Sequence, residues 1–127
     1  MFGDARMGGV PFWCPTDIQR AKKIDDAASS IFWHGEFMDD IGLSSFPQTE
    51  VHWFRYKDQV VITVMNNNDA SQDFDVRLET SQLNWKGFPS SAQALASDRN
   101  LKITRRDGYL SFTVTVPAKQ VEAVLIR

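Results

Sequence analysis

The sequence has little of what marks several common classes of protein. Cys14 is the only cysteine among 127 residues, so an internal disulfide and a cysteine-based metal site are excluded. The chain has 14 basic and 16 acidic residues, without the basic excess that nucleic-acid binding requires. It has no polybasic run for anionic lipid and no apolar run near the roughly 20 residues of a membrane-spanning helix. We therefore expect no nucleic-acid partner and no membrane partner, while the compartment stays open.

Residues 1–49 predict a loop followed by one helix. Thr16 and Gln19 have the spacing of a capping box, and Gly35 is a natural stop. Between them, small or apolar residues recur at helical spacing, which predicts an α-helix over residues 17–34. Its inward-facing residues would be Ile18, Ala21, Ile24, Ala28 and Ile31. One further helical turn is expected over residues 36–41.

Residues 50–127 show the alternation of apolar and polar residues that half-buried strands produce. Seven candidate strands, separated by turn residues, predict a mainly β fold: an antiparallel, Greek-key-like β-sandwich preceded by one N-terminal helix. The candidate strands cover residues 51–56, 59–65, 73–79, 92–96, 101–104, 110–116 and 121–126. The residues expected to share one interior are Val60, Ile62, Val64, Phe74, Val76, Leu78, Leu110, Phe112, Val114 and Val116.

Three stretches of this pattern carry a resemblance to a known family. They are Ile31-Phe32-Trp33-His34-Gly35, the strand and Asn turn of residues 59–67, and the strand, Pro turn and final strand of residues 116–126. Their order resembles the C-terminal end of a multidomain glycoside hydrolase, where the last helix of a (β/α)8 barrel leads into a β-sandwich. The resemblance implies a domain of residues 50–127 that packs on a catalytic barrel, in cis or in trans. Residues 1–49 would be a remnant of that barrel or its contact.

Carboxylates are the first candidates for chemistry, because most glycosidases need a pair of them. Glu36 and Asp40 would share a face if residues 36–41 were helical, and Asp25 and Asp26 lie on the predicted helix. In glycosidases of the barrel type, however, the catalytic carboxylates lie at the ends of barrel strands, and no such strand is evident here. We therefore interpret these residues as a solvated face and predict no catalytic residue for this chain.

Histidine and asparagine residues are the next candidates. His34 and His52 have no paired spacing that would indicate a metal site, and solvent-exposed histidines are the simpler interpretation. Residues 66–69, Asn-Asn-Asn-Asp, could offer oxygens to calcium but do not match an EF-hand loop. They are typical of a turn between strands. The sequence predicts no cofactor and no metal ligand.

Aromatic residues leave two functional hypotheses open. Nine of the 15 aromatic residues fall before position 55, more than a small sandwich would bury in addition to its own core. This favours a non-catalytic accessory domain with an apolar contact surface. The alternative is a carbohydrate-binding module that stacks sugar rings on Trp85, in a predicted loop, or on Trp53. In the accessory interpretation Trp53 or Phe54 packs under the helix, and Trp85 caps the end of the sandwich. A free-standing small enzyme ranks last.

Overall fold

The computed structural model describes residues 18–57, 59–82, 91–106 and 108–127. These residues form one α-helix and ten strands, and the predicted mainly β fold is confirmed. The helix α1 spans Ile18–His34. The strands are β1 Glu36–Asp39, β2 Leu43–Phe46, β3 Val51–Tyr56, β4 Gln59–Met65, β5 Gln72–Glu79, β6 Ala92–Ala94, β7 Arg99–Leu101, β8 Thr104–Arg106, β9 Tyr109–Val116 and β10 Val121–Ile126.

The strands form two antiparallel sheets. Sheet A has the order β1-β3-β4-β10-β6-β7, and sheet B has the order β2-β5-β9-β8. The chain passes repeatedly from one sheet to the other, as Greek-key connections do. Strands β1 and β2 follow each other in the chain, and each is the outermost strand of its sheet. Because β2 also contacts β3, the two outermost strands lie at the same edge of the sandwich.

Three layers stack on one another, with sheet A in the middle. One core lies between the sheets and includes Val60 and Ile62 from sheet A and Phe74 from sheet B. A second core lies between sheet A and α1, where Ile24 and Ile31 pack against residues that include Val61, Val121, Ala123 and Leu125. Each fully buried Ile contributes about 1.5–3 kcal/mol of hydrophobic stabilisation. The helix is therefore an integral layer of the fold.

Burial on both faces explains why two strands of sheet A read as continuous apolar runs. In β4 all residues from Val60 to Val64 are buried, because even-numbered residues face sheet B and odd-numbered ones face α1. Strand β10 is buried along its whole length for the same reason. Of the ten residues predicted to share the interior, nine lie in the core between the sheets, and Leu110 is also buried.

The helix prediction is confirmed over residues 18–34, and Ile24, Ala28 and Ile31 are buried as expected. The side chains of Ile18 and Ala21 lie outside the described residues, as does the predicted N-terminal loop. Gly35 ends the helix by donating its N–H to the Ile31 carbonyl at 2.8 Å. A Cβ at position 35 would lie under 3.0 Å from the carbonyl oxygens of Ile31 and Arg55, so the chain needs glycine there.

The predicted extra helical turn over residues 36–41 is wrong. Residues 36–39 form β1, in which Phe37 lies opposite Phe54 of β3. Because Gly35 ends the helix, the backbone after it makes its hydrogen bonds with β3 of sheet A and not within a helix. Residues 36–46 thus supply an outermost strand to each sheet. The predicted boundary at residue 50, between a segment that belongs to or contacts a neighbouring barrel and the β-sandwich domain, stays a prediction.

The number of strands also differs from the expected seven. Strands β1 and β2 are four residues each, too short to show a periodicity. The single strand predicted over residues 101–104 is wrong, because the chain there divides into β7 in sheet A and β8 in sheet B. Leu101 and Ile103 both pack against the core while the chain crosses between the sheets. Because the apolar–polar alternation continues through the point where the chain changes sheet, the sequence pattern does not reveal the change.

Candidate functional site

Exposed apolar side chains gather at one edge of the sandwich. Among the described residues five large apolar side chains are exposed, and four of them lie between positions 33 and 46. We call these four the apolar edge: Trp33 at 67% exposure, Phe37 at 56%, Ile41 at 53% and Phe46 at 77%. The fifth, Tyr109, lies on β9 in sheet B. A concentration of this kind within 14 consecutive positions is typical of a surface that contacts a partner.

Three side chains of the apolar edge lie on the two outermost strands and the tight turn between them, while Trp33 lies on α1. Phe37 lies on β1, Phe46 lies on β2, and Ile41 lies in the turn between them. The turn is closed by two backbone hydrogen bonds, from Ile41 N–H to the Met38 carbonyl at 3.1 Å and from Leu43 N–H to the Asp40 carbonyl at 3.0 Å. These bonds fix the direction in which the side chain of Ile41 leaves the surface.

A row of rings packs against Phe37 of the apolar edge. Phe32 of α1 meets Phe54 of β3 edge to face at 5.0 Å, and Phe54 meets Phe37 at 5.0 Å. The ring of His52 continues the row, 5.8 Å from Phe37. Aromatic pairs at these distances attract one another beyond the area that they bury. Phe37 is therefore held in place although more than half of it is exposed.

His52 joins this row to two carboxylates. Its Nδ1 lies 2.8 Å from Asp39 Oδ1, and its Nε2 lies 3.0 Å from Glu50 Oε2. Burial alone would lower the pKa of His52, but the hydrogen bonds and charges of Glu50 and Asp39 outweigh burial and raise the pKa. The imidazolium form is thereby favoured, with one carboxylate at each nitrogen. Within the described ranges, no group of three His, Cys, Asp or Glu side chains is arranged to hold a metal ion.

The carboxylates considered for catalysis are not brought together as a pair. Glu36 forms an ion pair with the guanidinium of Arg55 at 2.6 Å, on the strand that replaces the expected helical turn. Asp40 is exposed in the turn after β1, so the helical spacing that would have joined it to Glu36 does not exist. On α1, burial and the neighbouring charge of Asp26 raise the pKa of Asp25. Nothing in this arrangement resembles a general acid facing a nucleophile.

Of the two tryptophans considered for sugar binding, the structure describes only Trp53. Trp53 is fully buried between the sheets, and its ring offers no face to a sugar. Its neighbour Phe54 faces α1, so the alternation of the strand places one ring in each core. Trp85 lies outside the described residues, and its contact with carbohydrate stays a prediction.

Two buried polar residues have structural roles that sequence reasoning missed. Glu122 is fully buried, and its carboxylate accepts backbone N–H groups from Ala96 at 2.8 Å and Ser97 at 3.2 Å. Asn66, also fully buried, donates to the Val116 carbonyl at 2.9 Å and accepts from the Asn68 N–H at 2.8 Å. A single acidic residue within the apolar run 121–126 was the available signal. Both residues satisfy backbone groups at turns, and the Asn turn is confirmed as turn chemistry.

The helix of the described part of the chain is not long and apolar enough to cross a membrane.

Comparisons with known proteins give a likeness of fold alone. No protein-family model matches the sequence. No curated protein matches it either. Among solved structures, the chain is similar to the α-amylase from Geobacillus thermoleovorans complexed with acarbose, at 18% identity and a TM-score of 0.53. It is also similar to a maltogenic α-amylase from Thermotoga neapolitana, at 11% identity and a TM-score of 0.55. A third is an endoxylanase from Clostridium papyrosolvens, at 17% identity and a TM-score of 0.50.

The matches cover most of this chain but only a small part of each enzyme. They cover 84%, 83% and 88% of this chain, in the same order, but only 22%, 24% and 28% of the enzymes. The chain thus spans about a quarter of the length of the enzymes that it matches. The predicted resemblance is confirmed at the level of fold: this chain has the fold of a part of larger glycoside hydrolases.

Proposed function

We propose that this chain is a non-catalytic accessory β-sandwich that packs on a catalytic barrel through the apolar edge. The observation that carries the proposal is the position of Phe37, Ile41 and Phe46, each more than half exposed on the two outermost strands and the turn between them. Covering such side chains with a partner removes apolar area from water at about 25 cal/mol per Å². A partner surface with matching apolar side chains is the occupant that this edge fits.

The backbone of the same edge supports the proposal. Within the described ranges, β1 pairs only with β3, and β2 pairs only with β5. Open strand edges attract other strands unless they are covered or protected. On β1 the exposed Phe37 lies between the charged residues Glu36 and Asp39, and β2 ends on the exposed Phe46 without a charged residue. A partner that covers this edge would bury the exposed aromatic side chains and would also shield the open strands.

The similar structures support a barrel as the partner. Two are α-amylases and one is an endoxylanase, and this chain matches about a quarter of each. The rest of each enzyme is then free to form a catalytic unit beside the shared fold. In this proposal the helix α1, the strands β1 and β2 and the turn between them connect the sandwich to that unit, while the catalytic carboxylates belong to the barrel.

The test uses the catalytic barrel encoded in, or next to, the same reading frame of the source genome. The barrel and residues 1–127 are prepared separately, and their association is measured by sedimentation and calorimetry. Replacing both Ile41 and Phe46 with Ser should weaken association by about tenfold or more, because central apolar contacts dominate interfaces. Tyr109→Ser is the matched control, since it removes the exposed aromatic side chain that lies outside the apolar edge.

Two results would contradict the proposal. One is association that the double variant leaves unchanged while urea denaturation shows it to be folded. The other is the lack of any barrel-encoding sequence in or near the reading frame.

A further inference from the structure

The outer face of sheet B carries a trough that the apolar edge does not include. Two adjoining depressions, of about 300 and 340 Å³, share Arg77, Thr104 and Ser111 as lining residues. These three residues lie side by side on β5, β8 and β9, because Ser111 is opposite Arg77 on one side and Thr104 on the other. The trough therefore runs across the strands, on the face of sheet B that points away from α1.

Positive charge dominates the lining of the trough. It contains three cations, Arg77, Lys102 and Arg106, and one carboxylate, Asp75. None of the three cations forms an ion pair or a hydrogen bond within the described part of the chain, and all three are exposed. Asp75 already accepts a hydrogen bond from Thr113 at 2.6 Å. In a chain of net charge -2, three unpaired cations around one depression are a local excess that suits an anion.

The rest of the lining is suited to a sugar. Tyr109, 39% exposed, places a ring at one end of the trough beside Arg106, its partner across the strands. An exposed ring can pack against the apolar C–H face of a sugar. The hydroxyl groups of Thr104 and Ser111 lie between the ring and the remaining cations and can bond sugar hydroxyls.

We propose that this trough binds an acidic glycan, a polysaccharide whose sugars carry carboxylate groups. Arg77 and Arg106 would each hold a carboxylate through two parallel hydrogen bonds, Lys102 would add a third positive charge, and Tyr109 would stack on a ring. A nucleic acid fits less well. Single-stranded nucleic acids are bound by stacking successive bases on several aromatic side chains, and among the described lining residues Tyr109 is the one exposed ring.

The proposal does not rest on the accessory role. Strand β8, which carries Thr104 and Arg106, is at the opposite edge of sheet B from β2. Phe46 of the apolar edge lies opposite Asp75, so the edge adjoins the β5 side of the trough, while Arg106 on β8 lies on the far side. Because the glycan test uses the chain without a barrel, failure of one proposal leaves the other standing.

The experiment titrates the purified full chain with a short oligogalacturonide by calorimetry and by affinity electrophoresis. The neutral comparison is a malto-oligosaccharide of equal length, and the polyanion comparison is single-stranded DNA. Saturable binding to the oligogalacturonide, with at least tenfold weaker binding of the other two, is expected. Replacing Arg77 and Arg106 with Gln together should weaken binding by about tenfold or more, because each removes a charge-assisted hydrogen bond.

Control variants distinguish the loss of contacts in the trough from a change in net charge and from misfolding. Arg99→Gln removes one exposed cation from β7 in the other sheet and should leave the affinity within about twofold. Tyr109→Phe should keep binding, whereas Tyr109→Ala should weaken it. Absence of saturable binding to the oligogalacturonide would overturn the proposal. So would equal affinity for DNA, binding of the neutral sugar that the Arg variants leave unchanged, or an equal loss in Arg99→Gln.

Discussion

The indole Nε1 of Trp53 donates a hydrogen bond to the backbone carbonyl of Ile41 at 2.8 Å. One residue of this pair is fully buried between the sheets, and the other presents its side chain to solvent from the β1–β2 turn. The bond connects the interior of the sandwich directly to the apolar edge. A tryptophan that looked available for a ligand is thus an anchor for the surface that we assign to a partner.

Replacing Trp53 with Phe should cost about 1–3 kcal/mol of unfolding free energy, because the Ile41 carbonyl loses its donor and a smaller ring leaves a void. Urea denaturation followed by circular dichroism measures the change. Tyr109→Phe, which removes a polar group from an exposed ring, should change the free energy by no more than about 0.5 kcal/mol. Equal effects of the two substitutions would contradict the role given to the Trp53 bond.

Substitutions at two neighbouring positions of β9 should change the unfolding free energy by very different amounts, because the two side chains face opposite sides of sheet B. Phe112 lies in the core between the sheets, and its replacement by Ala should cost about 3–5 kcal/mol. Ser111 faces outward, and Ser111→Ala should cost no more than about 0.5 kcal/mol. Chemical denaturation of both variants checks the register of the strand. A loss below about 1 kcal/mol in Phe112→Ala would count against it.

The unfolding free energy should depend on pH through the protonation of His52. Its pKa in the folded chain is raised above the ordinary value of 6.5, so the protonated form stabilises the fold. This contribution is complete below pH 6.5 and is lost as the pH rises through the higher folded-state pKa. His52→Gln should therefore flatten the decrease in unfolding free energy above pH 6.5. His34→Gln is the matched control, and a wild-type profile in the His52 variant would refute the assignment.

The helix and most strands could be predicted from the sequence because their signals are local. The capping pattern and the spacing of Ile24, Ala28 and Ile31 mark α1, and the alternation from Phe74 to Leu78 marks β5. The short strands of residues 36–46 could not be predicted in this way. Four residues give no period, and their conformation is decided by pairing with distant strands.

The surface features were predictable only in part. An excess of aromatic residues before position 55 indicated an apolar surface, but not that β1, β2 and the turn between them would carry most of it. Composition could not show that Trp53 turns inward, because alternation places it or Phe54 inward with equal ease. The trough on sheet B was missed altogether. Its cations, Arg77, Lys102 and Arg106, are separated in sequence and meet only through strand pairing.

The chain alone should hydrolyse no glycoside. Glu36 is held by Arg55, and Asp40 lies exposed in the turn after β1, so the two carboxylates do not share the helical face on which a catalytic pair would depend. A panel of aryl glycosides should show no turnover above the buffer rate, and Glu36→Gln and Asp40→Asn should change nothing in that assay. Hydrolysis that disappears in either variant would make this chain an enzyme.

Amide hydrogen exchange tests the accessory role most directly. It compares residues 1–127 alone with the same chain bound to its catalytic barrel, and it reports protection along the backbone. Our account predicts that the barrel slows exchange in β1, β2 and the turn between them, while Thr104–Arg106 on the opposite edge of sheet B remains unchanged. Unchanged exchange in residues 36–46, with new protection only at β8, would contradict it.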